Sequence, residues 1–142
     1  MILVLGFGNP TRRDDGAGWE VIRRLEERNI PGLETRASQQ LGLEILEEWD
    51  SFERVILVDA APGPGETTLE RVVAQSLTPS ASTHHLKPET LLQLSQQLYG
   101  RSPELYVCRI PGEDFDFGEG LSLTAKTNVQ AALRHIEDWL IS

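Results

Sequence analysis

Cysteine is nearly absent: Cys108 stands alone in 142 residues. An internal disulfide is thereby excluded, and so is a zinc site built on paired cysteines. Cys108 lies within an apolar run, residues 105–110 (LYVCRI), where a thiol acts as a small buried hydrophobe rather than a nucleophile. The chain also lacks a P-loop and a Gly-x-Ser-x-Gly nucleophile elbow. No apolar run approaches the roughly 20 residues of a membrane span. Basic side chains are scarce, with 13 Lys and Arg against 22 Asp and Glu and a net charge of −9. That balance disfavours nucleic acid and anionic membrane surfaces as partners and suits a cation or a metal. Met1 leads directly into an apolar strand, which leaves no room for a signal peptide. With the lone cysteine, this predicts a cytoplasmic protein, and nothing in the sequence demands more than a monomer.

What remains is an ordinary globular composition, 39% hydrophobic and 25% charged, long enough for one domain over residues 1–142 with a sizeable core. Residues 1–5 read as a buried strand entering a glycine-bracketed turn, Gly6-Phe7-Gly8. Trp19, Val21, Ile22 and Leu25 form the apolar stripe of a first helix, stopped by Asn29, Pro31 and Gly32. Residues 33–37 are a weak second strand, and Leu41 to Trp49 carry a short second helix. The run at 55–58 has no alternation, as a central strand covered on both faces requires. It ends at Asp59 before a Pro-Gly-Pro-Gly turn. Residues 67–73 follow too closely for a helical crossover, which predicts an antiparallel edge strand. A third helix begins near Pro88, carries Leu91, Leu92, Leu94 and Leu98, and ends at Gly100. A buried strand at 105–110, an acidic loop at 112–120 and a last helix at 124–141 complete the chain. This alternation predicts a three-layer α/β/α sandwich around a mostly parallel, mixed sheet.

Open α/β sheets bind ligands beyond the carboxyl ends of their strands. Gly6-x-Gly8 invites a dinucleotide reading there, but Thr11 replaces the third glycine and the acidic pair Asp14–Asp15 would repel pyrophosphate. No nucleotide is expected. Asp14 and Asp15 also suit a helix N-terminus through the macrodipole. Asp59 closes a strongly apolar strand, where a carboxylate needs a partner or a ligand. His84 and His85 precede the third helix in a polar stretch and read equally as solvated loop residues. If the first and third strands are parallel neighbours, Asp15 and Asp59 share one sheet edge. An imidazole would complete an oxygen/oxygen/nitrogen site fit for zinc or nickel. Asn9 reads as a turn brace, and His135 as structural. Phe115 and Phe117 suit either core plugs or a partner-binding lip.

Taken together, Gly6-x-Gly8-Asn9, Asp14-Asp15-Gly16-x-Gly18, Val58-Asp59-Ala60 and Ser82-Thr83-His84 resemble the hydrogenase maturation proteases. The likeness extends through Ile110-Pro111 and Gly120-Leu121-Ser122. It implies an α/β/α endopeptidase that trims the C-terminal extension of a NiFe-hydrogenase large-subunit precursor after nickel insertion. The nickel would be supplied by the substrate, and another divalent metal such as zinc could occupy the same place. Asp15, Asp59 and His84 match the family's metal-contacting positions, His84 rather than His85 because it fills the Ser-x-His pattern. The same three residues are the candidates for catalysis. One loop departs from the family. Where many members carry Asp-Gly-Gly-Thr-x-Gly, this chain has residues 37–42 (ASQQLG), so Gln39, Gln40 and Gly42 are the candidates for substrate choice. The rival reading is a metal-sensing chaperone that holds the immature large subunit without cutting it.

Overall fold

The computed structural model describes residues 1–74 and 87–142. Five strands form one sheet: β1 (Ile2–Phe7), β2 (Leu33–Ser38), β3 (Arg54–Pro62), β4 (Thr68–Val72) and β5 (Glu104–Gly112). Their order is β2-β1-β3-β5-β4. β1, β2, β3 and β5 run parallel, and β4 is antiparallel to β5 at one edge. Among the described residues four helices cover the sheet: α1 (Ala17–Glu27), α2 (Ile45–Trp49), α3 (Pro88–Tyr99) and α4 (Leu123–Ile141). Among the described residues no helix is long and apolar enough to cross a membrane.

Side-chain alternation along the central strands sends two sets of residues to opposite faces. Val4, Ile56, Val58, Cys108 and Ile110 pack under α1 and α4 with Val21, Leu25, Val129 and Leu133. Leu3, Leu5, Val55, Leu57 and Leu105 pack with Ile45, Trp49 and Leu91 of α2 and α3. Residues 55–58 of β3 are all buried, as a strand sandwiched between two helical layers must be. On the α2/α3 face Trp49 is fully buried, and its indole N–H donates to the Ser95 hydroxyl at 2.7 Å.

Sequence periodicity placed the helices within a few residues, and their ends follow local chemistry. Pro88 opens α3, where a missing N–H costs nothing, and Gly100 closes it in a left-handed conformation (φ 71°). The apolar spacing overreached at the end of α3: Leu98 is 66% exposed, in a last turn (residues 96–99) that is exposed throughout, while Leu91 and Leu92 are buried. The long β-rise of β1 carries it two residues further than the apolar run, to Phe7, and a 3-10 turn (Arg13–Gly16) precedes α1.

The chain crosses from β1 through α1 to β2 on one face, then through α2 to β3 on the other. The direction of winding therefore reverses between β1 and β3. In open α/β sheets such a reversal leaves a crevice at the carboxyl ends of the strands.

Candidate functional site

The loop leaving β1 is shaped by close backbone approaches. Gly8 adopts φ +132°, and a Cβ there would lie 1.9 Å from the carbonyl oxygen of Asp15. Only glycine fits. A Cβ on Gly18 would come within 2.8 Å of the carbonyl oxygens of both Phe7 and Val58, so this residue lets α1 press onto the ends of β1 and β3. The loop is then pinned from within. The Asn9 N–H donates to Asp15 Oδ2 at 2.7 Å, and the Trp19 indole N–H donates to the Gly8 carbonyl at 2.7 Å. Asn9 braces the turn: its Oδ1 accepts from the Thr11 N–H at 3.0 Å and the Thr11 hydroxyl at 2.6 Å. Asp15 thus stands half-buried with its orientation fixed above the β1/β3 crevice.

Asp59 extends the row Val55–Leu57–Asp59 on the α2/α3 face, one residue past Val58, which pairs with Gly6 of β1. It is open to solvent at the strand end. Loss of surrounding water and the charge of Asp15 nevertheless push its carboxyl up to about 6, against the opposing pull of Arg109 and the Ala60 N–H. The negative charge of Asp15 beside Asp59 makes a place where a cation would relieve repulsion. The sheet therefore brings Asp15 and Asp59 together as the parallel pairing of the first and third strands requires.

Asp14, the neighbour of Asp15, does something different. It is fully buried and accepts four hydrogen bonds. The N–H groups of Glu113, Asp114 and Ser122 donate at 2.8, 3.0 and 2.7 Å, and the Ser122 hydroxyl donates at 2.7 Å. Burial alone would raise its pKa; the Ser122 hydroxyl and the three N–H groups outweigh that and hold it below the ordinary carboxylate range. Ser122 also caps α4, its Oγ accepting from the Ala125 N–H at 3.1 Å. Arg13 strengthens the seam through its 2.6 Å ion pair with Asp114. The acidic loop is thus clamped to the first loop by a buried carboxylate. A sequence signal existed for this: a Gly-rich acidic stretch ending in a Ser just before an apolar helix has N–H groups to place.

Gln39 and Gln40 are exposed directly after β2, whose Ser38 pairs with Phe7, so residues 39–42 stand at the same sheet edge as Asp15. The Ser38 carbonyl accepts from the Gly8 N–H at 3.1 Å. Gly42 is partly buried. His84 and His85 lie outside the described residues. Among the described residues no group of three His, Cys, Asp or Glu side chains is gathered to hold a metal. Phe117 is not a core plug: it is 75% exposed, under the Arg12 guanidinium at 4.7 Å, while Phe115 is partly buried against the core under α1 and α4. His135 is exposed on α4. Cys108 is fully buried, and burial pushes its thiol up to about 12, which leaves it inert.

Solved structures share this fold along nearly the whole chain. The hydrogenase maturating endopeptidase HybD from Escherichia coli matches with a TM-score of 0.75 and 24% identity, over 95% of this chain and 88% of that one. The NiFe-hydrogenase maturation protease HycI from Thermococcus kodakarensis matches with a TM-score of 0.74 and 20% identity, over 99% and 92%. An endopeptidase from Escherichia coli matches with a TM-score of 0.70 and 25% identity, over 95% and 88%. This chain has the hydrogenase maturation protease fold. No protein-family model and no curated protein matches it in sequence.

Proposed function

We propose that the chain is an endopeptidase that removes the C-terminal extension of a NiFe-hydrogenase large-subunit precursor once nickel is in place. The observation that carries this reading is the meeting of Asp15 and Asp59 at the winding reversal of a fold shared with hydrogenase maturation endopeptidases. The described residues supply no activated serine or cysteine, and the buried Cys108 is no substitute. Discrimination then comes from the metal that the substrate brings. Asp15, Asp59 and, by its place in the sequence motif, His84 grip the nickel of the bound precursor and set the scissile peptide beside it. Nickel can polarise the peptide carbonyl or acidify a bound water, and a carboxylate can take the proton. Gln39, Gln40 and Gly42, at the same edge, select the hydrogenase that is served.

The test is intact-mass analysis of a hydrogenase large-subunit precursor incubated with the protein in nickel-loaded and nickel-free forms. Loss of a C-terminal peptide from the nickel-loaded form alone is expected. Cleavage of both forms discards nickel as the recognition element. A stable complex without cleavage replaces the peptidase with a metal-sensing chaperone.

A further inference from the structure

The residue paired with Asp59 across the sheet is Arg109 of β5. Arg109 closes the row Leu105–Val107–Arg109 on the same α2/α3 face that Asp59 occupies, one strand away, or about 4.8 Å. Most arginines of the chain are committed: Arg13, Arg23, Arg24, Arg28, Arg36 and Arg54 all hold carboxylates. Arg109 makes no ion pair or hydrogen bond among the described residues, not even to Asp59. It is exposed and stands where two clefts of about 530 and 380 Å³ meet, sharing Thr68 and Glu70 as lining. Its charge still reaches the Asp59 carboxyl and favours ionisation there. An exposed guanidinium one strand away from Asp59, and bonded to no carboxylate among the described residues, has its donors available for a third group at the strand ends.

Building on the endopeptidase reading, we infer that Arg109 is a catalytic residue that donates to the carbonyl oxygen of the scissile peptide. Water adds its oxygen to the carbonyl carbon, and the carbonyl π pair moves onto the oxygen facing Arg109. The proton released by the water passes through a carboxylate to the peptide nitrogen as the C–N bond breaks. The products are one carboxylate and one amine. Arg109 binds the oxyanion more tightly than the neutral carbonyl, so its contribution falls on kcat.

Single-turnover processing of nickel-loaded precursor by Arg109→Gln and Arg109→Lys tests this, with precursor affinity measured separately and folding checked by thermal melts. The Gln variant is expected to lose about 100-fold in kcat, with KM changed by less than about threefold. The Lys variant, which keeps the charge but not the fork, is expected to recover at least tenfold of that loss. Unchanged kcat in the Gln variant overturns the role of Arg109 and leaves the endopeptidase standing. So does a loss confined to KM. No cleavage by the parent protein overturns both.

Discussion

Asp14 and Asp59 are carboxylates at the same edge of the same sheet, and their surroundings treat them in opposite ways. Asp14 is sealed from solvent, yet four donors meet its two oxygens, and its pKa is held down. Asp59 stands exposed at the strand end, yet loss of surrounding water, and after it the charge of Asp15, push its pKa up to about 6. Loss of water raises the cost of ionising both acids; what separates them is that four donors offset it at Asp14 and too few do so at Asp59. A satisfied carboxylate stabilises the fold. An acid at a strand end whose cost is not met by donors marks a candidate functional position.

The largest expected effect falls on Asp59. Asp59→Ala should lower precursor processing by about 10²- to 10⁴-fold, the range for loss of a positioned acid–base group, and leave the fold intact. Asp15→Ala should do the same, with some cost to the loop because the Asn9 N–H loses its acceptor. Quantifying the trimmed precursor beside a melt of each variant checks both halves. Full-rate processing by either folded variant would remove the metal-gripping role altogether.

Asp14→Ala should reverse the pattern. It strands three backbone N–H groups and the Ser122 hydroxyl, and it loosens the N-cap of α4. A loss of about 3 kcal/mol is expected from charge-assisted hydrogen bonds left unmade, or about 10 °C in Tm for a chain of this size. Asp14→Asn keeps part of the network and should lose less. Denaturant melts measure both, and an Asp14→Ala variant as stable as the parent would mean the clamp is ornamental.

The two acids also predict opposite pH dependences. An unfolded aspartate here titrates near 3.8. Asp14 has a native value below that, so the stability it contributes is complete above 3.8 and is lost as pH falls through its native value. Asp59 has a native value of about 6, so its protonated form favours the fold. That contribution is complete below 3.8 and is lost as pH rises through 6. Asp59→Asn should therefore be more stable than the parent above pH 6 and indistinguishable from it near pH 4. Asp14→Asn should show its deficit above pH 4 and converge on the parent in stronger acid. Two melting series across pH decide the matter.

The comparison also explains what could be read from the sequence. Apolar periodicity and turn residues located the elements because they reflect local geometry: the uninterrupted run 55–58 gave the central strand, and the short turn after Asp59 gave an antiparallel edge strand, which pairs with β5 across from β3. The meeting of Asp15 with Asp59 followed from strand order. The split between Asp14 and Asp15 did not, because two adjacent acids look alike until donors 99 to 108 residues away are folded onto one of them. Arg109 was hidden for a similar reason: it sat inside an apolar run and acquired meaning only from its register with Asp59. Leu98 and Phe117 show the converse, apolar residues whose type suggested burial but whose positions leave them in solvent.

The smallest effect sharpens what holds the acidic loop. It touches the first loop from inside through Asp14 and from outside through Arg12, whose guanidinium stacks on Phe117 and whose Nε–H donates to the Phe115 carbonyl at 3.2 Å. An exposed cation–π contact is worth about 0.5–1 kcal/mol, and Phe117 buries little else. Phe117→Ser should therefore lower Tm by no more than about 3 °C, far less than Asp14→Ala. Combining the two substitutions should give the sum of their effects, since backbone donors to Asp14 do not depend on the outer stack. A large loss from Phe117→Ser alone would shift the clamp from the buried acid to the surface. A small loss of stability accompanied by weaker precursor binding would make the exposed ring a contact for the substrate protein, placed on the loop that Asp14 holds beside Asp15.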